Sequence, residues 1–186
     1  MKKLLLPVLL ALLLCGCGGG NEALEKGMEF RADLLQAQGC GFDVEVTADY
    51  GDWIQSFSLS CQADGAGDLR FAVAAPDTIA GITGSITQTQ GTLTFGDTAL
   101  HFPLLAQGRV SPVSAPWILL KTLRCGYITS ACMEEGQLRL TIDESYAEDA
   151  LRLDIWLDEN CVPLRAEILS EGMRILSLQV TNFRIM

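Results

Sequence analysis

The C-terminal third of this sequence alternates apolar and polar residues, and that pattern leaves few folds open. Leu138, Leu140 and Ile142 fall on one side of an extended chain. So do Leu151, Leu153, Ile155 and Leu157, then Leu164, Ala166 and Ile168, then Leu176, Leu178 and Val180. Intervening positions carry Arg139, Arg152, Asp154, Arg165 and Glu167. A period of two belongs to β-strands, whose successive side chains point to opposite faces. Consecutive strands with one dry and one wet face make an antiparallel meander, and the dry face must be covered. The expected register sets Leu153 opposite Ile168, Ile155 opposite Ala166 and Leu157 opposite Leu164.

Upstream, the same alternation recurs in shorter pieces. Phe42–Ala48 and Ile54–Ser60 flank the turn-rich Asp49-Tyr50-Gly51-Asp52. With Tyr50 and Gly51 as the two loop residues, Val44 faces Phe57, Phe42 faces Leu59, and Cys40 faces Cys61. Asp68–Ala74, Ile79–Thr87, Thr92–Phe95 and Ala99–Phe102 read as further strands. Two segments have helical spacing. Asn21 to Gln38 has Asn21 to cap it, Glu22 and Glu25 in its first turn and Gly39 to end it. Its apolar positions are Leu24, Met28, Phe30, Leu34 and Leu35. Ser114 to Arg124 has Pro116 in its first turn and a stripe of Trp117, Leu120 and Leu123. The fold class is therefore α+β.

The N-terminus states an address. Met1-Lys2-Lys3 is a short positive stretch, and Leu4 to Leu14 is an apolar run interrupted only by Pro7. The run is too short for a permanent span, which needs about 20 residues, so it reads as an export signal. Leu14-Cys15-Gly16-Cys17 resembles the bacterial lipobox, with a small residue just before the acceptor cysteine. Cys15 fits less well because Leu14 would occupy that small-residue site. The resemblance implies residues 1–16 as a cleaved signal peptide and Cys17 as a lipidated N-terminus carrying acyl chains such as palmitate. A tether follows over 17–21, then one domain over 22–186. An ordinary secreted protein cleaved nearby is the competing reading. Two acyl chains on one residue give stable anchoring, at about 0.8 kcal/mol per buried CH₂.

Cysteine usage agrees with an exported domain, where disulfides persist. The register above pairs Cys40 with Cys61 on one face, against the alternative of two buried thiols. Cys125 and Cys132 flank a short segment and are a second expected pair, leaving Cys161 over; Cys161 could also pair with either of them. No Cys-x-x-Cys spacing occurs, and the single histidine, His101, has no partner, so no metal and no cofactor are expected.

Charge and motif content exclude several functions. The chain carries a net charge of −10, which falls by two to −12 when Lys2 and Lys3 leave with the leader. That is a poor match for nucleic acid or an anionic lipid surface. His101 lies in the apolar Leu100-His101-Phe102-Pro103, no serine has a Gly-x-Ser-x-Gly setting, and Asp143-Glu144 and Glu148-Asp149 bound a loop. A non-catalytic protein is expected.

The closing segments carry a likeness. Leu153-Asp154-Ile155-Trp156-Leu157-Asp158, Cys161-Val162-Pro163-Leu164-Arg165-Ala166-Glu167-Ile168 and Ile175 to Phe183, with Asn182-Phe183, resemble the closing hairpins of the LolA/LolB-like lipoprotein carriers. Asp68-Leu69-Arg70-Phe71 followed by Pro76 is similar to that family's early strand. The additional cysteines depart from the pattern and point toward a specialised relative, such as the clostridial spore-germination lipoproteins. The resemblance implies a curved antiparallel half-barrel wrapped over a few helices, on the outer face of a cell membrane or the periplasmic face of an envelope membrane. It also implies an apolar cavity for acyl chains or lipoproteins. Phe42, Val44, Phe57, Leu59, Phe71, Trp117, Leu120, Leu153 and Ile155 would line it, although the same alternation serves a filled core. A second reading is an anchored adaptor that binds and positions an envelope enzyme such as a cell-wall amidase, with an exposed Trp156 marking the partner surface.

Overall fold

In the computed structural model, which describes residues 19–106 and 109–186, the expected alternation becomes one sheet. Helix α1 (Gly19–Gln36) is followed by β1 (Gly39–Asp49), β2 (Ile54–Asp64), β3 (Leu69–Ala75), β4 (Thr83–Ile86), β5 (Gly91–Phe95) and β6 (Thr98–Phe102). Two-residue strands β7 (Leu105–Ala106) and β8 (Arg109–Val110) and a 3₁₀ turn (Pro112–Ser114) lead into α2 (Ala115–Cys125). The remainder is β9 (Tyr127–Glu134), β10 (Gln137–Asp143), β11 (Arg152–Leu157), β12 (Pro163–Ser170) and β13 (Met173–Ile185). Eleven strands form one curved, unclosed antiparallel sheet in the order β6-β5-β4-β3-β2-β1-β13-β12-β11-β10-β9. The signal-peptide stretch 1–16 and Cys17 lie outside the described residues, and α1 begins at Gly19, two residues before Asn21.

The β11–β12 register holds for Leu153 opposite Ile168 and Ile155 opposite Ala166. A bulge then sets Leu157 opposite Pro163 instead of Leu164. The β1–β2 register differs from expectation by two residues: Val44 faces Leu59, Phe42 faces Cys61, and Cys40 faces Ala63. The cause is the turn. Asp49 Oδ1 accepts from the Gly51 amide at 3.0 Å, Gly51 takes φ +85°, and the Tyr50 amide bonds the Trp53 carbonyl at 3.1 Å. The loop is thus Tyr50–Trp53, an Asx-type turn rather than a two-residue hairpin. A shift of two leaves each side chain on its face, so the dry face is unchanged. Strand β9 is an addition to the expected set; Tyr127–Glu134 has a mostly exposed pattern, and only its first three residues, Tyr127, Ile128 and Thr129, favour a strand.

The helices lie against the dry face. Ala23, Phe30 and Leu34 of α1 are buried, and Gly27 lets the helix approach closely, since a Cβ there would stand 2.8 Å from Leu140 Cδ2. Leu24, Met28 and Leu35, expected to face the sheet, point outward instead. Trp117, Ile118, Leu119, Leu120 and Leu123 bury α2 almost all round. Arg31 Nε donates to the Leu123 carbonyl at 2.6 Å and ties the two helices together.

Candidate ligand surface

Directly opposed residues of an antiparallel pair share a face, so the dry face can be followed strand by strand. Leu69 faces Ile86, Phe71 faces Gly84, Gly84 faces Leu93, and Leu93 faces Leu100. Gly91 faces Phe102, and Phe95 faces Thr98. The apolar lining of the half-barrel therefore continues onto β5 and β6. Two glycines build this wing: the Phe71 ring lies over Gly84 and the Phe102 ring over Gly91, where added Cβ atoms would meet those rings at 2.3 and 2.1 Å. Only a residue without a side chain admits a ring so close to the strand.

Under the helices the lining is closed. Phe42, Val44, Phe57, Leu59, Phe71, Trp117, Leu120, Leu153 and Ile155 are all buried in one continuous core. Beyond the helices it is open. Leu93 and Phe102 pack on the rim of the core, while Phe95 and Leu100 are 68 % and 62 % exposed. A contiguous apolar surface next to a core marks a place where something else is received. The sequence carried the signal, since Leu93, Phe95, Leu100 and Phe102 alternate in two strands joined by Gly96-Asp97. Placing them on the dry face needed the register of β3 and β4.

Other expected site residues fall elsewhere. Trp156 is on the wet side of its strand, as its position implies, but it is 4 % exposed rather than open to a partner. Its direct neighbours on β10 and β12 are Arg139 and Arg165, and both guanidinium groups lie over its ring, at 5.0 and 3.7 Å from the centroid. Long basic side chains can cover apolar surface in this way while keeping their charge in water. Trp53 is half exposed and stacks on Tyr50. His101 sits on the wet face of edge strand β6, with Nδ1 3.0 Å from Thr92 Oγ1.

The disulfides expected between Cys40 and Cys61 and between Cys125 and Cys132 are corrected: all four thiols are free, as is Cys161. The first pair fails because the two-residue register shift sets the sulfurs diagonally, Cys61 opposite Phe42. For the second, Cys125 ends α2 while Cys132 lies within β9, paired with Arg139. Burial pushes the Cys40 thiol up to about 11, and burial pushes Cys61 up as well, with the Asp43 charge adding to it. A raised thiol keeps its proton in the fold, so this contribution is intact below the ordinary value near 9 and fades as pH rises toward 11. Labelling with a thiol reagent at about pH 8, just under the ordinary thiol range, is expected to modify exposed Cys125 and Cys132 readily, and Cys40 and Cys61 only after unfolding. Fast labelling of Cys40 in the folded protein would contradict this burial.

No family model and no curated protein matches the chain. Solved structures similar to it include an uncharacterised conserved protein from Thermus thermophilus, at TM-score 0.48 and 14 % identity, over 88 % of this chain and 87 % of that one. A LolA superfamily protein from Nitrosomonas europaea is similar at TM-score 0.45 and 8 % identity, over 91 % and 94 %. A putative outer membrane lipoprotein-sorting protein domain from Vibrio parahaemolyticus is similar at TM-score 0.45 and 9 % identity, over 90 % and 92 %. The half-barrel architecture rests on the chain's own strand order and register.

Proposed function

We propose that this chain is a membrane-anchored, extracytoplasmic and non-catalytic lipoprotein. In this reading it receives acyl chains, free or carried by another lipoprotein, on the uncovered apolar wing of its half-barrel. The carrying observation is the wing itself: the dry face runs from the helix-covered core onto β5 and β6, where Phe95 and Leu100 meet solvent. Covering a side chain of this kind contributes up to about 1.5–3 kcal/mol, and each ligand CH₂ buried on the wing adds about 0.8 kcal/mol, so a chain of several methylenes is needed to offset the cost of association. Residues 1–16 serve as the leader and Cys17 as the lipidated anchor, two residues ahead of α1. The anchor keeps the protein at its membrane, so ligand is received or held there instead of being shuttled away. The adaptor reading depends on an open Trp156, and the two arginines over that ring remove its surface.

Native mass spectrometry of the purified protein tests this reading. Wild type is expected to carry acyl-chain adducts, and Phe95→Asp with Leu100→Asp is expected to lose them without a change in thermal midpoint. Adduct-free wild type with an envelope enzyme in its pull-downs would favour the adaptor instead, and adducts that survive both substitutions would place the ligand elsewhere.

A further inference from the structure

On the opposite, wet face, cross-strand pairing aligns Arg184 of β13, Gly41 of β1, Gln62 of β2, Arg70 of β3 and Ser85 of β4 in one row. The row borders a trough of about 530 Å³ whose floor is made of small side chains, among them Ser60, Ala72 and Thr83. Arg184 and Arg70 stand three strands apart, about 14 Å between backbones at the usual strand spacing. Gly41 leaves the space between them open: Arg184 Nε lies 3.5 Å from where a Cβ on Gly41 would be. The Arg184 side chain therefore lies across Gly41, on the strand next to Gln62.

These two arginines differ from every other described basic side chain. Lys26, Lys121, Arg139, Arg152 and Arg174 each hold a carboxylate. Arg31 and Arg124 donate to backbone carbonyls, and Arg165 covers Trp156. Among the described residues, no hydrogen bond or ion pair engages Arg70 or Arg184. The carboxylate lining the same trough, Asp43, accepts from Asn182 Nδ2 at 2.7 Å. That bond and one from Ser60 hold its carboxyl below the usual range, with the Arg184 charge a smaller cause. An acidic chain that engages all its other described cations leaves two guanidinium groups facing one polar trough.

We propose that this trough is a binding site for a phosphate-bearing ligand, bracketed by Arg70 and Arg184 and steadied by Gln62 and Ser85. Guanidinium forks match phosphate oxygens, and charge-assisted bonds of this kind are the strong ones. A phosphate ester sets its free oxygens around a tetrahedral phosphorus, two in a diester and three in a monoester, where two forks can approach from different sides, whereas a single carboxylate offers two in one plane. The net charge of −10 repels anions at long range, so capture depends on these short-range contacts and weakens as salt rises. A soluble phosphate ester and a lipid headgroup both present this chemistry, and the two sources are separable. The site lies on the face opposite the apolar wing and does not depend on it.

The test is a ¹⁵N-labelled NMR titration of the full chain in neutral detergent with inorganic phosphate, glycerol 1-phosphate and dihexanoyl phosphatidylglycerol, with chloride at matched ionic strength as control. The phosphate probes are expected to shift the amides of Gln62, Arg70 and Ser85 saturably, and Arg70→Gln and Arg184→Gln each to weaken binding at least tenfold. Phe95→Asp is expected to leave this binding unchanged, which separates failure here from failure of the wing. Tighter binding of the phosphatidylglycerol identifies a headgroup as the source, and equal affinity of the two glycerol compounds identifies a soluble ester. Shifts that are absent, that chloride reproduces, or that survive both arginine substitutions overturn the proposal.

Discussion

Leu153→Ala is expected to destabilise the fold by about 2–5 kcal/mol, while Leu100→Ala stays within about 0.5 kcal/mol. Leu153 is the second residue of β11, 1 % exposed, with Ile142 on one neighbouring strand and Ile168 on the other. Truncating it removes buried methyl groups and leaves a space that strands fixed on both sides cannot close. For a domain of this size the thermal midpoint falls by about 5–15 °C. Leu100 is on the same dry face but outside the helix cover, and its loss removes little packing. The contrast is informative because the two residues carry the same alternation signal. Thermal denaturation of both variants separates the closed part of the lining from the open part, and equal costs would mean that the wing is packed.

Asp154→Ala is expected to cost about 1.5–3 kcal/mol, far more than an ordinary wet-face substitution. Asp154 is 7 % exposed although it lies on that face. Thr141 Oγ1 donates to its Oδ1 at 2.6 Å, and Arg139 donates to its Oδ2 at 3.0 Å. Arg139 also holds Glu134 at 3.0 Å and lies over Trp156. Removing the carboxylate strands the Thr141 hydroxyl and frees the arginine that covers the tryptophan, so one change loosens three strands. The bond to Asp154 is the first cause raising the Arg139 guanidinium above its usual range. Urea denaturation checks the cost, and Trp156 fluorescence is expected to become more water-exposed in the same variant. A cost below about 0.5 kcal/mol would show the network to be as weak as an isolated surface ion pair.

What could be read in the sequence was decided by parity, and what could not was decided by register. The side of each strand that Val44, Leu59, Leu153 or Ile168 occupies depends only on odd or even position, so it survives a two-residue error in the β1–β2 turn. The Cys40–Cys61 pairing depends on the register itself and does not survive it. Trp156 is on the expected face, but its burial is contributed by Arg139 and Arg165, whose positions beside it require both neighbouring registers. Strand β9 escapes the pattern because an edge strand lying largely open shows little alternation. The wing follows the same logic: four apolar residues in two short strands become a continuation of the core only once β3 and β4 connect them.

On the proposed reading, hydrocarbon binds on the β5–β6 wing. A fatty acid bearing a photoactivatable diazirine near its tail, cross-linked to the full-length protein in neutral detergent and mapped by peptide mass spectrometry, tests it directly. Labels on peptides spanning 91–102, displaced by excess unlabelled fatty acid and lost in Leu100→Asp, are the expected result. Labels confined to α1, whose Leu24, Met28 and Leu35 are also exposed, or labels that excess fatty acid does not displace, would contradict it.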